Sequence, residues 1–427
     1  MEVGILMGSF VLLLCLSVPI AISIGFAIII LLLINPVTNF AMLGQSMITS
    51  LINFPLMAVP FFMLTGSVME VGGLSKRLVA VGEALVGNLT GGFGIVTIIT
   101  CLFFGAISGS APATVAAIGT IMIPAMVHNN YSKEYATGLA ATAGGLGVII
   151  PPSIPFVLYG LSTNTSIGDL FIAGIIPGMI IGLLLIIVSV VISRRRGYQG
   201  NGRKFSAKRL GLAVWDAKWA LLVPVIILGG IYGGIFTPTE AAVAGVVYGI
   251  IVGIFGYKEL KWRDLPRIFI ENGVLVGSVV ITIATATALG TIFSMLQVPA
   301  QIGAAISAFS SNKYVILLVI NVFLLFVGMC MDTAAAILIL SPILAAVLAP
   351  LGIDPIHFGV IMVVNLAIGF VTPPVAINLF VASGISGVPV NRIAKEAIPF
   401  IVAFLIGLAF LVIFPQISLV LPQLLSK

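Results

Sequence analysis

The stretch GGLGVIIPPSIPF, residues 144–156, decides how this chain is read, because a proline doublet interrupts an otherwise continuous apolar segment. A second stretch, NLAIGFVTPPVAIN at residues 365–378, carries the same doublet in similar surroundings. Pro151 and Pro373 are 222 residues apart, and so are Pro177 and Pro399 in the Ile-Pro pairs farther on. One offset at two separate motifs means two halves built on one plan. Proline lacks an N–H, so carbonyls one turn upstream of each doublet lose their partners. In hydrocarbon such carbonyls are tolerated only against protein or a wet cavity, and paired broken helices mark the binding site of a transporter. A simple kink competes with this reading, but two matched kinks beside two matched hairpins weigh against it.

Composition sets the class. Of 427 residues, 60% are apolar and 7% charged, with a mean hydropathy of +1.28. Such a chain is an all-α polytopic membrane protein, since a β-barrel would alternate apolar and polar residues along its strands. The net charge of +6 gathers in loops rather than in a nucleic-acid-binding surface. Arg194, Arg195, Arg196, Arg203, Lys204, Lys208, Arg209 and Lys218 form one basic connection against the single acid Asp216; Lys258, Lys261, Arg263 and Arg267 form another. The positive-inside rule puts both in the cytoplasm, where contact with lipid headgroups is a compatible reading. Cys15, Cys101 and Cys330 lie far apart, and His128 and His357 sit near segment ends without partners. Neither a disulfide nor a transition-metal site is expected. The sequence MEVGILMGSF has no basic leader, so no cleaved signal peptide is expected.

The apolar runs predict inverted repeats with two re-entrant hairpins and two broken helices. Runs 3–16 and 19–33 hinge at Ser17-Val18-Pro19, and runs 218–235 and 239–256 hinge at Thr237-Pro238. Amphipathic arms at 37–52 and 73–90 flank a span at 53–70; arms at 258–268 and 297–308 flank a span at 269–296. A hairpin at 94–127 turns at GAISGSAPAT, and its partner at 313–349 turns at GMCMDTAAA. Each limb is expected to reach about half to two-thirds of a ~30 Å hydrocarbon core. Broken helices at 135–163 and 356–384 and spans at 169–193 and 393–422 complete the halves. Counting segments from the basic loops, the first hairpin enters from the cytoplasm and the second from outside, with both termini periplasmic.

Candidate chemistry concentrates at the tips and breaks. Asp332 lies at the second tip with no cation near it in sequence. A carboxylate at membrane depth costs about 2.5–3.5 kcal/mol on insertion scales, which points to an ion partner. Capping the helix that starts at Thr333 is a second role, and the two are compatible. At the first tip, Ser108, Gly109, Ser110, Ala111 and Pro112 supply hydroxyls, a turn-forming glycine and a helix start. Na⁺ wants several oxygens, which carbonyls and hydroxyls provide; close helix packing by small residues is the rival explanation. The breaks add carbonyls near Leu146 and Val148, and near Ile368 and Phe370 beside the Thr372 hydroxyl. No Lys or Arg lies deep in a span, so an anionic substrate would rest on half-helix N-termini and bound Na⁺. Asn164, with Thr163 and Thr165, and Asn378 could orient polar substrate groups, or serve as loop residues.

The segments GGIFTPTEAAVAG (233–245), FFGAISGSAPATVAAIGTIMIPAM (103–126), GLGVIIPPSIPFVLYG (145–160) and GFVTPPVAINLFVASG (369–384) resemble the large membrane subunit of tripartite ATP-independent periplasmic (TRAP) transporters. The resemblance covers nearly the whole chain. It implies a Na⁺-driven importer of organic acids, such as C4-dicarboxylates, sialic acids and sugar acids, in a prokaryotic inner membrane. A small four-helix membrane subunit, expected from a separate gene, and a periplasmic substrate-binding protein would be its partners. It also implies an elevator-type transporter, with scaffold at 1–92 and 201–307 and transport domain at 93–200 and 308–427. Sodium ligands would then be Ser108, Gly109, Ser110 and Ala111 with Gly145 and Gly147, and Asp332 and Thr333 with Gly369 and Thr372. Substrate ligands would be Ser110, Ala111, Pro112, Asn164, Asp332 and Asn378. No cofactor beyond the coupling ion and no enzymatic activity is expected. An intramembrane protease would need a second deep aspartate, a Ser/His pair or a zinc motif. A channel would need charge rings or a repeated filter. A sodium/carboxylate symporter without a binding protein is the strongest alternative.

Overall fold

The structure is a computed structural model that describes residues 2–16, 18–35, 37–202, 204–309 and 312–425, the segment 305–309 by its backbone alone. Ser17 of the first hinge and Arg203 of the basic connection fall outside the described residues. Every regular element among those described is helical, and eight helices are long and apolar enough to cross a membrane.

In the first half, α1 (Glu2–Cys15) and α2 (Ile20–Ile34) pack as a hairpin, followed by α3 (Phe40–Leu51), α4 (Ala58–Val71) and α5 (Leu74–Val86). Next come α6 (Gly92–Ser108) and α7 (Ala111–His128), α8 (Lys133–Ala143), α9 (Ile154–Thr163) and the long α10 (Ile167–Arg196). The second half runs α11 (Ala207–Asp216), α12 (Lys218–Tyr232), α13 (Pro238–Ile251), α14 (Leu265–Met295) and α15 (Val298–Phe309). It closes with α16 (Lys313–Cys330), α17 (Thr333–Leu348), α18 (Pro355–Gly369), α19 (Ile377–Ser386), α20 (Val390–Ile413) and α21 (Gln416–Leu425). Starts are written in the sequence. Ser132, Ser153, Ser166 and Ser206 each cap a helix, and Thr237 with Glu240 closes a capping box on α13.

Four departures from the sequence reading have physical causes. The arm at 258–268 is not a separate helix, because Pro266 opens α14 in its first turn and nothing breaks that helix for 31 residues. The expected span at 393–422 is two helices, α20 and α21, because Pro415 falls between them without an N–H to continue the ladder. A helix that the sequence reading did not foresee, α11, occupies the basic connection, started by the Ser206 cap. The limbs α6, α7, α16 and α17 have 17, 18, 18 and 16 residues. At ~1.5 Å per residue they reach about 24–27 Å, longer than the expected half to two-thirds of a span.

The hairpins and broken helices share one core, in which Phe104, Leu146, Phe156, Phe358, Phe400 and Phe404 are buried. A second core joins α1, α2, α14 and α17 through Leu6, Ile24, Leu31, Ile292 and Ile339. Lipid competes with apolar side chains for one another, so close backbone approach matters more here than in water. Glycines provide it symmetrically. A Cβ on Gly105 would sit 2.8 Å from the Gly147 Cα, and one on Gly369 would sit 2.7 Å from the Gly328 Cα.

Gly369→Ala is therefore expected to destabilise the protein by about 1–3 kcal/mol through overpacking. Gly277→Ala, whose new methyl would meet nothing within 4 Å, should leave stability unchanged or slightly raised. Thermal unfolding in detergent compares the two; equal midpoints would contradict the packing argument.

Candidate functional site

Each hairpin tip touches the break that follows it. At the first tip, α6 ends on Gly109 in the left-handed region (φ 61°), and Ser110 begins α7 with its hydroxyl 3.5 Å from the Ala113 N–H. The Ile154 N–H donates to the Gly109 carbonyl at 3.2 Å, joining the tip to the start of α9. At the second tip, Asp332 caps α17 by accepting the Ala334 N–H at 2.9 Å. The Val375 N–H donates to the Met329 carbonyl at 3.0 Å, just ahead of α19. The two tips correspond residue for residue: α7 starts at Ala111 and α17 at Thr333, 222 apart. In both doublets, Pro151-Pro152 and Pro373-Pro374, the peptide bond between the prolines is cis.

The breaks also meet each other. A Cβ on Gly145 would lie 3.7 Å from the Ala367 carbonyl oxygen. The Asn378 amide donates to the Ala141 carbonyl at 3.0 Å, tying α19 to α8. The Asn378 Oδ1 is buried and has no hydrogen-bond partner among the described residues. The arrangement thus gathers helix starts and polar side chains where the halves cross, but the carbonyls that the sequence reading frees are paired: Leu146 accepts the Ile149 and Ile150 N–H groups, Val148 the Ser153 hydroxyl, Ile368 the Val371 N–H and Phe370 the Asn378 N–H.

The sites differ in chemistry. The first holds a hydroxyl cluster: Ser108 Oγ lies 3.1 Å from Thr114 Oγ1, which donates to the Ser110 carbonyl at 2.8 Å. Gly147 lies directly beneath, where a Cβ would come within 2.8 Å of the Ser110 carbonyl. Ser108, Gly109, Ala111, Gly145 and Gly147 are buried, while Ser110 and Pro112 are half-buried. The second site has Cys330, Asp332 and Ala336 where the first has Ser108, Ser110 and Thr114. Its break contributes Thr372, whose hydroxyl donates to the Ile368 carbonyl at 2.8 Å, with Gly369 buried just before it in the chain; Thr333 is buried beside Asp332 at the tip.

The structure brings Ser110 and Gly147 together at the first site, joins the second hairpin to its break through Gly328–Gly369 and Met329–Val375, and sets Asn164 apart. Asn164 is the exposed left-handed C-cap of α9 (φ 54°), about 15 Å along the axis from the helix start. Thr163 and Thr165 bond to each other there at 2.8 Å. Sequence reasoning missed Thr114, whose role follows from standing one helical turn after Ser110. It also missed Asn365, which donates to the Asn321 carbonyl and side-chain oxygens at 2.9 and 2.8 Å and ties α18 to α16. An asparagine within the apolar run VVNLAIG was the available signal.

Paired hairpins and paired broken helices in a polytopic helical protein define a membrane carrier architecture. Residues 7–417 match the family described as "Tripartite ATP-independent periplasmic transporter, DctM component", and the chain belongs to that family. It is 46% identical over 415 residues to the isethionate TRAP transporter permease protein DctMQ of Oleidesulfovibrio alaskensis, covering 97% of this chain and 65% of that protein. It is 41% identical over 374 residues to the C4-dicarboxylate TRAP transporter large permease protein DctM of Pseudomonas aeruginosa, covering 88% and 87%. Among solved structures, the Alcanivorax borkumensis YdaH transporter shares the fold at a TM-score of 0.59 and 17% identity, over 87% of each chain.

Thr114→Val keeps the shape but removes the short bonds to the buried Ser108 hydroxyl and the Ser110 carbonyl, leaving the hydroxyl only its 3.4 Å contacts within the tip. A loss of about 1–3 kcal/mol is expected, with Thr114→Ser restoring most of it. Chemical or thermal unfolding of both variants measures the difference; a Thr114→Val protein as stable as the original would remove the hydroxyl cluster from the account.

Proposed function

We propose that the chain is the membrane permease of a Na⁺-driven, binding-protein-dependent importer of a small organic acid. The observation that carries this reading is the tip-to-break contact made twice, once beside a hydroxyl cluster and once beside Asp332. Family membership supports the class of machine. The names of the two relatives, one a sulfonate and one a dicarboxylate permease, support a small anionic substrate, and sialic and sugar acids stay within that class. Backbone carbonyls with a lone pair to spare, hydroxyls and one carboxylate suit a hard cation such as Na⁺. Sodium would be held by Ser108, Gly109, Ser110 and Ala111 with Gly145 and Gly147, and by Asp332 and Thr333 with Gly369 and Thr372. The α7 and α17 N-termini, with Ser110, Ala111, Pro112, Asp332 and Asn378, would face the substrate's negative groups. With its coupling ions bound, the anion would cross without a buried guanidinium that must return uncompensated.

In this reading the hairpins are re-entrant and the halves inverted, with both termini periplasmic and the basic loops in the cytoplasm. Residues 93–200 and 308–427 would move as an elevator against a scaffold formed by 1–92 and 201–307. The close approach of Gly66 on α4, where a Cβ would lie 3.1 Å from the Ser108 Cβ, would be one surface along which the two slide. A small four-helix subunit and a periplasmic binding protein would complete the importer in the inner membrane. The second reading is a symporter working alone, favoured only by the breadth of carriers that share this architecture.

Reconstitution tests the proposal. Uptake of a C4-dicarboxylate, isethionate or a sialic acid is expected only with the matching binding protein and an inward Na⁺ gradient. Uptake indifferent to Na⁺ would overturn the coupling, and uptake without any binding protein would favour the symporter. Asp332→Ala is expected to cost about 0.5–2 kcal/mol of stability from the lost cap and to abolish Na⁺-driven uptake in protein that still folds. Normal uptake by that variant would exclude Asp332 from the ion site.

A further inference from the structure

The chain has three tryptophans, and all of them lie at one edge of the molecule. Trp215 ends α11, Trp219 begins α12, and Trp262 lies in the turn before α14; they are 69%, 39% and 65% exposed. The elbow and the turn are joined directly: the Tyr257 hydroxyl donates to the Asp216 carbonyl at 2.9 Å and accepts the Ala220 N–H at 3.3 Å. α11 and α12 meet at 61°. Leu210 and Val214 share one face of α11, Trp215 lies about a quarter-turn round from Val214, and no residue of this helix is buried. A short amphipathic helix set at an angle to a membrane span, with exposed tryptophans at its end, is the form of an element lying in the headgroup layer.

Charge then selects the lipid. Lys204, Lys208, Arg209, Lys218, Lys258 and Arg263 surround the tryptophans in sequence, and among the described residues none of them is in an ion pair. The acids of the region are already engaged. Arg77 meets Asp216 at 3.5 Å and Glu259 at 2.7 Å, and Lys76 reaches Glu259 at 3.2 Å. Partial burial works against the Glu259 carboxylate, but hydrogen bonds from Arg77 and Lys76 outweigh it and hold its pKa below the ordinary value. The Lys218 ammonium lies 3.7 Å from the Trp215 ring centroid and 5.2 Å from that of Trp219, a cation held at the level of the aromatic belt.

We infer that the α11–α12 elbow and the 257–263 turn form a binding surface for anionic phospholipid headgroups. The basic side chains take the phosphates while Trp215, Trp219 and Trp262 anchor the surface at the interface. This surface lies between the long α10 and α12, so lipid would fix the connection between the two halves of the chain. The inference needs neither Na⁺ coupling nor a particular orientation, because it rests on the charge and exposure of one edge.

The tryptophans make the test direct, since intrinsic tryptophan fluorescence reports on this edge alone. The full chain is reconstituted into phosphatidylcholine vesicles containing a minority of brominated phosphatidylglycerol or of brominated phosphatidylcholine. Stronger quenching by the brominated phosphatidylglycerol is expected, and high salt should shrink the excess. Each basic residue near an anionic surface is worth about fivefold in partition. The triple change K204Q/K208Q/R209Q is therefore expected to remove most of the excess, and K258Q/R263Q a smaller part. Equal quenching by the two lipids in the unmodified protein would overturn the inference with no variant needed. An excess that survives both sets of substitutions in folded protein would overturn the assignment to these residues.

Discussion

Backbone against backbone, where a hairpin tip meets a broken helix, is the contact on which the rest depends. It is possible because glycine faces glycine: Gly105 over Gly147 in one half, and Gly328 over Gly369 in the other. Side chains at these points would push the tips away from the breaks. The single hydrogen bonds Ile154–Gly109 and Val375–Met329 would then be lost, along with the enclosure of the carbonyls at the breaks. Water cannot stand in for such partners in hydrocarbon, so the protein itself must enclose them. The site follows from satisfying that demand in two places at once.

Two-fold repetition in the backbone did not bring repetition in the chemistry. The first tip is neutral and rich in hydroxyls, while the second places Asp332 where the first has Ser110. The breaks diverge as well, with Thr372 and Asn378 standing where the first half has Ile150 and Phe156. A carrier that binds its cargo between repeats gains from this. In the proposed reading one half would serve an ion with dipoles alone while the other supplies a full charge, without two carboxylates facing each other across the substrate.

Much of this was legible because it is written as punctuation. Proline doublets, the Ser-Gly-Ser-Ala-Pro turn and the Met-Asp-Thr turn change backbone chemistry at fixed positions, and the 222-residue offset matched them without any knowledge of contacts. The arms were harder. Residues 258–268 are polar enough to read as an interfacial helix, yet Pro266 starts α14 inside them and the helix runs on through Gly273 and Gly277. α11 was hidden in a run noted only for its charge. The partners of Thr114 and Asn365 were invisible for another reason: they are set by helix packing, and an apolar run does not say which of its faces meets a neighbour. The hairpin limbs were misjudged in length because the tips turn in two residues, which leaves more of each segment helical than the turn motifs suggested.

The elements outside the site serve to hold it and to place it in the bilayer. α4 brings Gly66 to the first tip, α14 backs the second hairpin through α17, and the aromatic, basic elbow at α11–α12 sets the depth of the connection between halves. The most direct test of the central claim is amide hydrogen exchange across the two tips and two breaks, with Na⁺ compared against K⁺ at equal ionic strength. Protection that rises with Na⁺ in 108–114 with 144–150, and in 330–336 with 366–372, is the expected result. Exchange at both tips that ignores Na⁺ would contradict the account.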